Sequence, residues 1–136
     1  MGIEFATDEW IKALMAEMNA SDAYGKAAKN WEGDFYFVVD AGDGLAETAY
    51  MYMDLWHGEC RAAYKVADPA EKKPAFVMSA PVSVWRQVFE KKMDPIRGMM
   101  SGKLKLQGNK MKVLKAPKAA IEMVECCTTI DTTYPG

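Results

Sequence analysis

His57 and Cys60 stand three residues apart in Trp56-His57-Gly58-Glu59-Cys60, a spacing at which an imidazole could draw the proton from a thiol and make it a nucleophile. Such a pair needs a third group to orient the base, and none is evident nearby. Side chains at strand ends across a turn also splay apart, so His57 reads as a turn residue. Cys126 and Cys127 are adjacent on a helical segment, where neighbours diverge by about 100°, so neither a shared metal nor a disulfide suits them. With Cys60 they make an odd count without Cys-x-x-Cys spacing, which reads as reduced thiols and no metal site. Asp54, within an apolar strand, could act as a general acid if burial raised its pKa. Its face also carries Tyr50, Tyr52 and Trp56, beside Asp34 and Asp40 of the neighbouring strand, and so reads as a wet or partner-covered outer face. There is no Gly-rich phosphate loop ahead of a helix, no His-Glu-x-x-His and no Gly-x-Ser-x-Gly. These residues do not assemble an enzyme, and no cofactor is called for.

Two other groupings suit binding rather than bond-making. Phe35, Phe37, Met51, Met53, Leu104 and Leu106 share one face of the strands, opposite helices bearing Trp85, Phe89, Met93, Ile96, Met99 and Met100. Methionine has three rotatable bonds and a polarisable sulfur, which suits a wall whose occupant varies in shape; composition alone reads the same residues as core filling. Lys103, Lys105, Lys110, Lys112, Lys115 and Lys118 form the second group. They suit an anionic membrane surface or the phosphates of an acyl-CoA, or else a solvated face that keeps an edge strand from pairing. The row Tyr50, Tyr52 and Trp56 suits a homodimer contact, since aromatics are enriched in interface cores.

Composition narrows the classes further. A chain of 136 residues with a formal net charge of -2 fits one domain over 1-136 and lacks the basic excess that nucleic acid demands. Aromatics at 11% and 11 methionines argue for a packed core. The beginning Met1-Gly2-Ile3-Glu4 carries an early acid and no basic region, and Ala6 occupies the place where a myristoylation signal wants Ser or Thr. No apolar run approaches the roughly 20 residues of a membrane helix. The expected location is the cytoplasm, with any membrane contact peripheral.

The elements that must position these residues follow from periodicity. Thr7 or Asp8 caps a helix with Trp10, Ile11, Leu14, Met15 and Met18 on one side, and Ser21 or Asp22 starts a shorter one through Lys29. From Asp34 the period becomes two: Phe35, Phe37 and Val39 alternate with polar-edged neighbours, and Gly42-Asp43-Gly44 turns a hairpin into a strand from Glu47 to Trp56. A third strand sets Cys60, Ala62, Tyr64 and Val66 against Arg61, Ala63 and Lys65, and a fourth spans Ala75 to Ser79. Pro81 or Ser83 opens a helix leading to Met93, Asp94-Pro95 starts another, and a fifth strand spans Lys103 to Gln107. The helices between the last two strands imply that this pair is parallel. After Asn109 the residues Met111, Val113 and Leu114 suit either a short strand or a helix capped by Asn109, Pro117 opens the last helix with Ala120, Ile121, Val124 and Cys127 inward, and the tail Asp131 to Gly136 lies on the surface. The sum is an α+β fold, a five-stranded mixed, mainly antiparallel sheet with helices covering one face.

The segment from Asp94-Pro95 through a short apolar helix to Ser101-Gly102-Lys103-Leu104-Lys105-Leu106-Gln107-Gly108-Asn109 resembles the hallmark segment of the sterol carrier protein family of lipid-binding domains. The helical beginning resembles stand-alone bacterial members. The resemblance implies an apolar tunnel between sheet and helices, lined by the twelve aromatic, methionine, isoleucine and leucine positions grouped above. It implies non-catalytic binding or transfer of an apolar lipid, whether a fatty acid, acyl-CoA, phospholipid or isoprenoid- or sterol-like molecule. Domains of this kind also occur as parts of larger enzymes, so an accessory, substrate-presenting subunit is the alternative.

Overall fold

Alternating apolar residues build the platform on which the helices lie. In the computed structural model, which describes residues 2–135, a short β1 (Ile3–Glu4) precedes two helices, and the platform then forms from β2 (Glu32–Asp40), β3 (Ala49–Trp56), β4 (Glu59–Val66), β5 (Phe76–Pro81) and β6 (Lys105–Gln107). The five strands lie in the order β4-β3-β2-β5-β6, and every pair is antiparallel except β2 with β5. The architecture is thus the expected mixed α+β sheet, but the parallel pair is not the expected one. The strands β5 and β6 run antiparallel, with Met78 opposite Leu106, while Phe37 opposite Met78 marks the parallel pair. The reason is the connection after β4, which crosses the sheet to lay β5 beside β2; the helices that follow merely carry the chain round to return along β5.

The helices are bounded by the caps that their flanking residues supply. In α1 (Asp8–Ala20) the Thr7 side chain accepts from the Trp10 N–H, and in α2 (Asp22–Ala27) that of Ser21 accepts from Tyr24. After β5 come α3 (Val82–Phe89) and α4 (Pro95–Met100), the latter with Pro95 in its first turn and the Asp94 carboxylate accepting from Ile96 and Arg97. Asn109 caps α5 (Lys110–Leu114), and Pro117 begins α6 (Pro117–Thr128). Trp10, Ile11, Leu14 and Met18 of α1 join Phe35, Phe37, Val39, Met51, Met53 and Leu55 of the sheet in one buried cluster with Trp85, Val88, Met99 and Leu104.

Three local expectations change. The strand pairing shifts by one residue at Asp54/Leu55, so Cys60 and Ala63 join the helix-covered core while Ala62, Tyr64 and Val66 lie on the other side. A bulge of this kind transfers side chains between faces, which strict alternation cannot foresee. In α6, Ile121 points outward at 44% exposure, while Cys126 and Cys127 are both buried. The tail is not merely laid on the surface either: β7 (Thr132–Thr133) pairs in parallel with β1. Met1 and Gly136, the expected domain's first residue and the tail's last, lie outside the described residues.

The outer face of the sheet is covered by the chain itself. Tyr36, Val38, Tyr52 and Val66 form a second buried cluster beneath the β4–β5 connection. The Tyr36 hydroxyl donates to the carbonyls of Pro69 and Lys72 and accepts from the Lys72 N–H at 2.9 Å, and Asp34 accepts from the Ala75 N–H at 2.7 Å. Tyr52 is therefore only 7% exposed, which removes the middle of the row Tyr50, Tyr52 and Trp56 as an open homodimer contact. Trp56 remains exposed, with the Arg61 guanidinium over its ring at 4.7 Å.

Candidate functional site

Between the sheet and the helices lies an apolar cavity of about 100 Å³. Its wall contains no charged side chain. Along it runs a chain of aromatic contacts: Trp31 with Phe35, Phe35 with Phe37, Phe37 with Trp85, Trp85 with Phe89, and Phe89 with Trp10, at centroid separations of 4.9 to 6.2 Å. Each tryptophan in the wall disposes of its N–H elsewhere. Trp10 donates to Thr132 Oγ1 at 3.0 Å, Trp31 to the Gly33 carbonyl at 3.0 Å and Trp85 to the Val38 carbonyl at 3.1 Å. With those donors satisfied, the rings add apolar surface to the cavity without leaving a polar group unpaired in it. Among the described residues no buried side-chain nitrogen or oxygen lacks a partner. Tyr24 supplies the wall's lone hydroxyl, and burial raises its pKa.

The cavity has a direction. Most of its lining residues are buried; the partly exposed ones are Phe89 at the end of α3, Pro95 at the start of α4, Ala116 before α6, and Ala119, Ala120, Met123 and Val124 on α6. The opening therefore lies between the α3–α4 junction and α6.

Of the positions the sequence marks for a binding wall, Phe35, Phe37, Met51, Trp85, Phe89, Met99 and Leu104 line this cavity. Met53 does not: it is fully buried in the surrounding core. Met93, Ile96 and Leu106 pack against the core's edge without reaching the cavity, and Met100 projects into solvent at 69% exposure. Facing inward on a strand or helix is thus not the same as reaching the void. Sequence reasoning missed Phe5, Trp10, Ile11 and Leu14 near the beginning, Trp31, Met78, and the α6 residues Ala119, Ala120 and Met123. The apolar stripe on α1 was the available signal, but only the topology brings that stripe to the cavity, with Trp10 stacked on Phe89.

None of the residues suited to chemistry shares the cavity except one. The His57 ring meets the Glu32 carboxylate at 2.6 Å on the surface, while the Cys60 thiol is buried and donates to the Ala62 carbonyl at 3.4 Å. Burial pushes the Cys60 pKa up to about 12, which makes it a poor nucleophile at neutral pH. Asp54 receives a two-point contact from Arg61, both nitrogens at 3.1 Å. Cys127 does line the cavity, but burial drives its pKa up as well, and it has no base beside it to take a proton. Among the described residues no group of three or more His, Cys, Asp or Glu could hold a metal ion.

The model of the SCP-2 sterol transfer family matches residues 11–120. The chain belongs to that family. A crystal structure of sterol carrier protein 2 superposes with a TM-score of 0.82 at 32% identity, covering 93% of this chain and 98% of the other. The solution structure of a conserved hypothetical protein of Thermus thermophilus gives 0.83 at 32% identity, covering 97% and 93%. Palmitated SCP2L2 from Aedes aegypti shares the fold, with a TM-score of 0.60 at 14% identity over 88% and 95% of the two chains. No curated protein sequence matches significantly. Family membership connects this SCP-2 chain to lipid binding or transfer. No helix among the described residues is long and apolar enough to cross a membrane.

Proposed function

We propose that residues 1–136 act as one lipid-binding domain that takes the hydrocarbon chain of a single apolar lipid into the cavity, reversibly and without chemistry. The observation that carries this reading is the wall itself: aromatic and aliphatic carbon throughout, tryptophan donors turned away, and an opening flanked by α4 and α6. Each methylene taken from water contributes about 0.8 kcal/mol, so a chain of about ten carbons offers roughly 8 kcal/mol before ordering costs are subtracted, with no charged anchor. The described wall residues include no histidine or carboxylate to act as a base, and burial keeps the Cys127 thiol protonated, so what the wall supplies is binding energy. A protein of the same fold, SCP2L2 from Aedes aegypti, has been solved in palmitated form, which supports an acyl chain as the guest.

The cavity, at about 100 Å³, is smaller than the about 150 Å³ apolar void that admits benzene. A long acyl chain therefore requires the rim to part and extend the cavity into a tunnel. Met99 and Met123 line it and can change rotamer at little cost, and Ala116, Ala119 and Ala120 keep the α6 side of the rim thin.

Displacement of a fluorescent fatty acid tests the proposal. Saturable uptake at one site per chain is the expected result, and native mass spectrometry of freshly purified protein should show the mass of a single co-purified lipid. Absence of saturable binding up to the fatty acid's solubility limit overturns the reading.

A further inference from the structure

The charges of this chain are segregated around the cavity's opening. Between Pro95 and Ile121 stand seven of the 17 basic residues, Arg97, Lys103, Lys105, Lys110, Lys112, Lys115 and Lys118, and not one acidic residue. The remainder of the chain holds ten basic residues against all 19 acidic ones. All seven of those basic residues are exposed, and none joins an ion pair among the described residues. The same segment carries three of the four exposed large apolar side chains, Met100, Met111 and Ile121 at 69%, 59% and 44% exposure. It also carries most of the rim: Pro95, Ala116, Ala119 and Ala120 line the cavity from it.

We infer that this face, formed by α4, α5, the β6 lysines and the first half of α6, docks the protein on an anionic phospholipid bilayer. A bilayer matches all three features at once. Its phosphates draw a field of positive charge with no acid interspersed between Pro95 and Ile121, its interfacial region accepts isolated apolar side chains such as Met111 and Ile121, and its acyl chains are the cargo that the opening would receive. A solvated face that only keeps β6 from pairing needs Lys103 and Lys105; it does not need Lys115, Lys118 or the bare methionines. The acidic remainder of the chain is repelled by the same membrane, which orients the protein with its opening toward the lipid. This inference rests on the cavity being the lipid site.

Vesicle cosedimentation tests it, using phosphatidylcholine alone and phosphatidylcholine mixed with phosphatidylglycerol. Binding is expected to the mixed vesicles, to weaken as salt is raised, and to be weak on phosphatidylcholine alone. Replacing Lys103, Lys110, Lys115 and Lys118 by Gln together should weaken binding roughly fivefold per lysine removed, on the order of six-hundredfold in all. A control with Lys65→Gln and Lys73→Gln, outside the segment, should bind as the parent does. The variants' folding is checked by circular dichroism, and their cavities by fatty-acid displacement in solution without vesicles. Quadruple-variant binding within a factor of two of the parent's, or binding indifferent to phosphatidylglycerol and salt, overturns the docking face. A protein that binds the mixed vesicles yet takes up no fatty acid keeps the docking face and loses the cavity reading.

Discussion

The ammonium of Lys112 lies 5.0 Å from the centre of the Trp31 ring and donates to the carbonyl of Glu32. Through this contact α5 is fastened to the end of β2, beside a tryptophan that lines the cavity. Lys112 is thus held to the fold, which is why it stands apart from the lysines chosen to test docking. Lys112→Met keeps the apolar stem and removes the charge and the donor. The expected loss of stability is about 1 kcal/mol, read from the urea midpoint at constant m-value. An unchanged midpoint would show that the contact contributes nothing to the hold on α5.

Filling the cavity should abolish binding without unfolding the protein. Ala120 faces the cavity from a partly exposed position on α6, so Ala120→Trp places an indole across the opening at modest packing cost. Fatty-acid affinity should fall at least tenfold, about 1.4 kcal/mol, while the thermal midpoint stays near the parent's. Full affinity in the variant would place the lipid somewhere else.

Asp34 holds the outer face together. Its carboxylate accepts from the Tyr52 hydroxyl at 2.8 Å and from the Ala75 N–H at 2.7 Å, so one side chain joins β3, β2 and the connection into β5. Asp34→Ala leaves a nearly buried tyrosine hydroxyl and a backbone donor without their acceptor, and should cost about 2 kcal/mol. Denaturant titration measures it, and lipid affinity should not change, since the affected groups lie across the sheet from the cavity.

Gly58 turns the chain from β3 into β4 at φ +82°, against the backbone of Gly25 in α2. A Cβ on Gly58 would fall 2.5 Å from the Gly25 carbonyl oxygen. Gly58→Ala therefore meets both a left-handed backbone and a clash with main chain, and should destabilise by about 2 kcal/mol or more, seen as a lowered thermal midpoint. Gly42, also at positive φ but with open space around it, should tolerate alanine better.

The buried thiols give stability an alkaline limit. The Cys60 pKa rises from 9.0 to about 12 through burial, and burial also raises those of Cys126 and Cys127. Below pH 9 both folded and unfolded chains keep these protons and stability is whole. For Cys60, between about 9 and 12 the unfolded chain releases the proton while the folded chain does not, so stability falls as pH rises, at up to about 1.4 kcal/mol per pH unit, and the raised Cys126 and Cys127 act in the same direction. Urea midpoints at intervals from pH 8 to pH 11 should decline, and the slope should be shallower in Cys60→Ala. A flat profile would show that the thiols titrate alike in both states.

The sheet, the helices and much of the wall can be read in advance where one residue decides one thing. Asp94 caps the helix that local chemistry assigns it, the structure chooses Thr7 over Asp8, Ser21 over Asp22 and helix over strand after Asn109, and the alternation of Phe35, Phe37, Met51 and Leu55 puts the right faces inward. The register shift at Asp54/Leu55 escaped because one extra residue reverses the sense of alternation beyond it. The parallel partner of β5 escaped because a helix between strands permits parallel pairing without specifying the neighbour. Met53, Met93, Ile96, Met100 and Leu106 were grouped with the cavity wall because apolar periodicity tells inside from outside, not void from filled core.

What the amino-acid order alone determined is therefore the five strands of the main sheet and the helices, the buried faces of α1, β2 and β3, and the run of lysines without an acid from Pro95 to Ile121. Those depend on neighbours within a turn of helix or two residues of strand. What only the tertiary structure decided is that Tyr52 and Tyr36 are roofed by the chain's own connection, that α1 and α6 both reach the cavity that Phe37 lines, and that a void opening between α4 and α6 survives the packing. Each of these is a contact between residues far apart in sequence, and a cavity is the remainder left when all such contacts have been made.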